Sequence, residues 1–162
     1  MIKTQTNNEI TLDSLRNPMS QMLSDMQNII LCSNDSASES IQKYIVARGH
    51  GENIKALSLS TGIPESTFSK IKHNKNYKFE HRTLIALLIE LNIDFSTSMS
   101  ILQRAGLSLG NTKEHLAYKI LLEKHGEIDI LTANKFLIEN HLKPLAGNTR
   151  DKPNKKRQNF SY

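Results

Sequence analysis

From position 12 onward, apolar residues recur at three- and four-residue spacings and are interrupted by short polar or glycine-containing stretches. Leu15, Met19, Met22, Leu23, Met26, Ile29 and Ile30 form the first stripe, and with Pro18 near its start they predict a helix over about 20–31. The small polar residues of 32–38 then read as a linker, with Ser38 available to cap the next helix. Ile41, Ile45 and Val46, with Tyr44 alongside, predict a short amphipathic helix that ends at Gly49-His50-Gly51. The stretch 53–60 turns Ile54 and Leu57 inward, with Ala56 as a further inward candidate, and stops at Thr61-Gly62-Ile63-Pro64. A further helix follows, with Phe68 and Ile71 on one side.

After the polar connection 74–78, residues 82–91 read RTLIALLIEL, apolar nearly all round, as in a helix enclosed by several neighbours. Asp94 starts another helix with Phe95, Met99, Ile101 and Leu102 for burial and Gly106 as terminator. Asn111 or Thr112 caps a helix over about 113–124, with Leu116, Ile120, Leu121 and Tyr118 as inward candidates and Gly126 at its end. The last helix is expected over about 130–141, turned inward by Leu131, Phe136, Leu137 and Ile138, before Pro144 and Gly147. No alternating strand pattern is needed, so the chain reads as all-α.

At 162 residues and 38% hydrophobic content the chain supports one compact domain with tails. Five Phe, four Tyr and no Trp leave the core to Ile and Leu. The single cysteine, Cys32, cannot form an intramolecular disulfide and fits a reducing compartment. No apolar run is long enough for a membrane helix, and the amino-terminal residues have no signal-peptide pattern, so a cytoplasmic, non-membrane protein is expected.

The net charge of +5 is unevenly placed. Residues 48–82 carry seven basic side chains against three acidic ones, residues 143–162 carry six against one, and the two remaining segments are each net negative. Positive charge therefore gathers at one internal segment and at the carboxyl-terminal tail, both suited to an anionic partner. Six histidines are present without an HExxH pair or clustered cysteines, and no GxSxG, Walker A or GxGxxG motif occurs. On this reading the chain is not an enzyme and needs no cofactor or metal.

The stretch IKALSLSTGIPESTFSKIKHN, residues 54–74, matches a helix-turn-helix: a short helix, a tight turn at Gly62, and a second helix starting near Pro64. Ile54, Leu57 and Phe68 would hold the pair together. Glu65, Ser66 and Thr67 would then project from the exposed start of the second helix, with Ser69 and Lys70 next on it. Lys72, His73, Asn74, Lys75, Lys78 and Arg82 surround the motif as candidate phosphate contacts.

Through IKALSLSTGIPESTFSKI and the following HNKNYKFEHRTLIALLIELNID, the chain resembles the XRE family of lambda-repressor-like helix-turn-helix regulators. The longer tract to Gly106 is similar to a bacterial subgroup with additional carboxyl-terminal helices. The resemblance implies a lambda-repressor-like helix-turn-helix bundle with additional N- and C-terminal helices. It also implies a recognition helix whose base-facing positions are Glu65, Ser66, Thr67, Ser69 and Lys70 in this chain. Where the family often carries Gln and Ser at the first two of these, this chain has Glu65 and Ser66.

The organisation expected is an arm and helix over 1–37 as a possible dimerisation element, a DNA-binding core over 38–94, additional helices over 95–145, and a flexible basic tail over 146–162. The implied function is a sequence-specific DNA-binding regulator, a repressor acting on double-stranded DNA as a homodimer. The alternative is a helical adaptor or antitoxin-like protein with a regulatory protein partner and weak or no DNA binding.

Overall fold

A computed structural model describes residues 19–20 and 34–145. Chain contacts divide it into two units, Met1–Asp35 and Ser36–Tyr162. In the first unit Met19 and Ser20 are helical; the rest of the amino-terminal stripe lies outside the described residues, as does the basic tail after 145. The described part of the second unit contains seven helices and no strand. They are α1 (Ala37–Ala47), α2 (Ile54–Thr61), α3 (Glu65–His73), α4 (His81–Glu90), α5 (Phe95–Arg104), α6 (Lys113–Glu123) and α7 (Ile130–Glu139). No helix among the described residues is long and apolar enough to cross a membrane.

Most helix starts are set by one oxygen-bearing side chain. Asn53, Asp94, Thr112 and Asp129 each accept a hydrogen bond from a first-turn N–H of the helix they precede. At α1 the cap is Ser36 rather than the expected Ser38. Ser36 Oγ accepts from the Glu39 N–H at 3.2 Å, and the Glu39 carboxylate accepts from the Ser36 N–H at 2.8 Å. The reciprocal pair needs a carboxylate three residues after the cap, which Ser36 has and Ser38 lacks.

The central element is α4, in which Leu84 through Ile89 are all buried. Helices α2, α6 and α7 pack on it, while α1 packs on α3 and α5. Its continuous apolar sequence follows from this position, since neighbours on several sides leave no face for polar residues. Burial of each Leu or Ile there contributes about 1.5–3 kcal/mol relative to exposure. The sequence regions 38–94 and 95–145 consequently share one core, in which Ile41, Leu57, Leu87, Leu102, Tyr118 and Leu137 all belong to the same cluster.

Helix rotation differs from expectation at several positions. Leu121 and Tyr118 of α6 are buried as expected, but Leu116 and Ile120 are exposed and Ala117 and Leu122 take the inner positions. In α7, Leu137 is buried, whereas Leu131 and Ile138 are 69% and 52% exposed; Ile130, Ala133 and Asn134 face inward instead. Ala56 and Val46 are also exposed. Helix α6 packs on α4 and α5 and helix α7 on α4, so each buries the face that meets these neighbours and leaves the apolar residues on its other faces outward. Helix α7 ends at Glu139, and the buried Asn134 Oδ1 accepts from the Leu145 N–H at 2.7 Å to hold the chain that follows.

Candidate nucleic-acid interface

Helices α2 and α3 are joined by residues 62–64. Gly62 has φ +67°, a left-handed conformation that a side chain disfavours, and its N–H donates to the Ser58 carbonyl at 2.7 Å. Ser58 Oγ donates to the Ile63 carbonyl at 2.6 Å. The buried Thr61 hydroxyl donates to the Leu57 carbonyl at 2.7 Å and accepts from the Ile63 N–H at 3.2 Å. The hydroxyls of this stretch thus brace the turn. Leu57, Ile63, Phe68 and Ile71 are buried beneath it.

Because Phe68 and Ile71 fix the inner face of α3, the helical period turns the remaining positions outward. Glu65, Ser66, Ser69, Lys70, Lys72 and His73 are exposed, and Thr67 is half-buried. Ser66, Ser69, Lys70 and His73 stand at positions i, i+3, i+4 and i+7 and so share a single outer stripe. Pro64 precedes the helix and supplies no side-chain cap, although its carbonyl accepts from the Thr67 N–H at 2.9 Å. Glu65 stands at this end, where its carboxylate favours the helix start and competes with any approaching phosphate. Lys70, Lys72 and His73 lie in the last turn, where cations complement the helix dipole.

The loop after α3 alternates lysines with aromatic anchors. Phe79 is buried and Tyr77 stacks edge-on against it, with ring centroids 4.8 Å apart. Asn74 Oδ1 accepts from the Asn76 N–H at 3.0 Å and the Asn74 carbonyl accepts from the Tyr77 N–H at 3.1 Å, so Asn74 shapes the turn that carries Lys75. Lys75 and Lys78 are exposed. Lys75 Nζ lies 3.6 Å from Glu39 Oε1, an ion pair that engages part of its charge. Arg82 is half-buried in the first turn of α4, close enough to Tyr118 for its charge to act on that phenol. Among the sequence-derived candidates, the structure therefore gathers Ser66, Ser69, Lys70, Lys72 and His73 on one exposed helix, sets Lys75 and Lys78 on the loop beside it, and leaves Arg82 half-buried at the start of α4.

Two groupings were not visible from local sequence. His81 and His115, 34 positions apart, stack with ring centroids 4.9 Å apart. His81 Nε2 is 3.2 Å from the Ser108 carbonyl, and His115 Nδ1 accepts from the Gly110 N–H at 2.9 Å, which ties the α5–α6 connection to α4 and α6. Among the described residues, no three His, Cys, Asp or Glu side chains converge as a metal site. The second grouping is Arg104 with Ser40 and Ser100, at 3.0 and 2.9 Å. The Ser36-x-x-Glu39 spacing was the available signal for the α1 start; nothing local announces the approach of Arg104.

Compared with protein-family models, curated proteins and solved structures, the chain matches none.

Proposed function

We propose that this protein is a sequence-specific DNA-binding regulator of the lambda-repressor-like helix-turn-helix type, acting as a repressor by occupying an operator. The observation that carries the reading is α3 itself: one face buried through Phe68 and Ile71, the other offering Ser66, Ser69, Lys70 and His73. In such a complex α3 enters the major groove, where Ser66, Thr67, Ser69 and Lys70 meet base edges. Glu65 accepts from a cytosine amino group or restricts which phosphates approach. Lys72, His73, Asn74, Lys75 and Lys78 border the phosphate backbone, and Arg82, set deeper, adds to the field behind them. No cofactor enters this action.

One short helix reads few base pairs, so the operator is expected to be read by a homodimer whose two α3 helices lie about 34 Å apart, one DNA turn. Selection of bound fragments from genomic DNA by the full-length protein tests the reading. An enriched, two-fold symmetric motif is expected; recovery of fragments without any shared motif rejects sequence-specific regulation. Sedimentation with and without the selected DNA tests the dimer, and a single-chain mass in both conditions rejects it.

A second reading, a helical adaptor or antitoxin-like protein, draws on the exposed Leu116, Ile120, Leu131 and Ile138 of α6 and α7, which suit a protein partner. A stoichiometric protein partner recovered from native cells, together with no DNA enrichment, would favour it.

A further inference from the structure

Helix α6 presents an apolar pair to solvent. Leu116 and Ile120, one turn apart, are 45% and 50% exposed and lie across the helix from the buried Tyr118 and Leu122. Lys113 and Glu123, also exposed, extend this stripe at its two ends. Lys113, Leu116, Ile120 and Glu123 thus follow one another at spacings of three, four and three, the seam spacing of paired helices. Single exposed apolar side chains are ordinary, but a stripe of them closed by one charge of each sign is a pattern with a direction.

Both terminal charges stand against the dipole of their own helix. Lys113 occupies the first turn, where the helix end is positive, and Glu123 the last, where it is negative. Residues of the conventional sign are next to them in sequence but are engaged elsewhere: Glu114 accepts from the Tyr118 hydroxyl at 2.9 Å, and Lys124 lies 3.5 Å from Glu127. Lys113 Nζ donates to the Asn140 carbonyl at 2.7 Å, a neutral partner that uses one of its three N–H groups. Among the described residues, neither Lys113 nor Glu123 takes part in an ion pair. Such disagreement between charge and helix end is relieved when the end of another helix, of opposite polarity, is set beside it.

We propose that the outer face of α6 docks against the same face of a second copy of this chain, with the two α6 helices antiparallel about a two-fold axis. Reversal of one helix brings Leu116 of each copy opposite Ile120 of the other, and Lys113 of each opposite Glu123 of the other. Each charge then meets both an opposite charge and a helix end of favourable sign. A parallel pairing would instead set lysine against lysine and glutamate against glutamate. The face is complementary to itself, which is what a two-fold interface requires. Helix α6 packs on α4 and α5, while α3 packs on α1 and α2, so the pairing engages a different element from α3. It would supply the dimer that the regulator reading calls for, yet it stands on α6 alone and needs no DNA. Because the seam is one helix of 11 residues, the dissociation constant is expected to be on the order of micromolar.

The test is sedimentation equilibrium of the full-length protein without DNA, from about 1 to 200 µM. A mass rising from one chain to two over this range is expected. Leu116→Ser combined with Ile120→Ser should raise the dissociation constant roughly a hundredfold, since four half-exposed apolar side chains per dimer lose their burial. Both residues are exposed in the single chain, so this variant should keep the parent's circular-dichroism spectrum. Leu59→Ser, which removes a side chain 74% exposed on α2, should leave the mass curve unchanged. Glu123→Lys sets like charges opposite each other and should weaken the dimer about tenfold, as should Lys113→Glu. A chain carrying both changes should recover the parent's affinity, and an equimolar mixture of the two single variants should form a mixed dimer, because opposite charges meet again in both cases. A parent that stays a single chain to the highest concentration overturns the proposal. So does a dimer left intact by the Leu116 and Ile120 changes, or a charge reversal that the double change does not restore. A single-chain parent that captures a different protein through Leu116 and Ile120 also overturns it and assigns the face to that partner. A dimer with the expected properties in a protein that takes up no duplex supports the α6 pairing and rejects the regulator reading alone.

Discussion

Arg48 Nε donates to the Leu91 carbonyl at 2.9 Å, and Arg48 Nη2 donates to the Asn92 carbonyl at 3.1 Å. A residue just past α1 thereby closes the carboxyl end of α4, the helix on which the core is built. The planar guanidinium meets two successive carbonyls where the dipole of α4 is negative, a fit that an ammonium group cannot reproduce. Arg48→Ala should cost about 1–2 kcal/mol in urea unfolding, and Arg48→Lys should recover less than half of that. An alanine variant as stable as the parent would show that the contact contributes nothing net.

Gly62 sets the angle between α2 and α3. Its φ of +67° costs a residue with Cβ roughly 1–2 kcal/mol. Gly62→Ala should lower stability by about that amount, and Gly62→Asn by less, because Asn tolerates the left-handed region better. Equilibrium unfolding of the two variants checks the order. If both matched the parent, the turn would not hold this conformation in solution.

Tyr118 links stability to pH. Burial pushes its phenol well above the ordinary range; the hydrogen bond it donates to Glu114 at 2.9 Å and the Glu114 charge act the same way, while Arg82 opposes them. The folded chain thus keeps the proton to higher pH than the unfolded chain, whose tyrosine ionises near pH 10. The associated stability is complete below about pH 10 and is lost as pH rises above it, by at most roughly 1.4 kcal/mol per unit. Urea unfolding between about pH 8 and pH 11 should show this decline in the parent and a shallower one in Tyr118→Phe. Equal slopes would exclude Tyr118 as the group responsible.

The lysines beside α3 should be unequal in DNA binding. Each phosphate neutralised adds roughly 0.9 to the logarithmic salt slope. Lys72→Ala and Lys78→Ala should each reduce affinity for every sequence and remove about that increment, whereas Lys75→Ala should remove less because Glu39 already engages its charge. Ser66→Ala with Thr67→Ala should mainly erode preference for the selected operator, by up to about 1–3 kcal/mol. Salt titrations on operator and random duplexes separate the two effects, with circular dichroism to verify folding, since half-buried Thr67 adjoins Phe68. An unchanged operator preference in the serine-threonine variant and no general loss in the lysine variants would put the docking face elsewhere.

Much of the helical framework was readable locally because its signals act within a few residues. Gly49, Gly62, Gly106 and Gly126 were each expected to end a helix, and all four have positive φ. Asp94 and Thr112 cap the helices they precede. Phe68 and Ile71, three apart, specify the buried face of α3 and with it the exposure of Ser66, Ser69 and Lys70. Ser36 shows the limit of this reading. Several serines precede α1, and the cap is the one whose third following residue is glutamate, a discrimination the local pattern contained and the simpler reading passed over.

By itself, then, the order of amino acids determined that the described chain is helical, where most helices stop and which face of α3 is outward, because backbone hydrogen bonding and the 3.6-residue period are local constraints. Only the tertiary structure decided which apolar residues of α6 and α7 are inside, since Leu116 and Leu121 are equally apolar and the choice depends on which neighbour each helix meets. It also decided the pairings of Arg48 with Leu91, His81 with His115, Lys75 with Glu39 and Arg104 with Ser40. These residues lie tens of positions apart, and their meeting follows from the packing of whole helices around α4, α1 and α5, which no short stretch of sequence encodes.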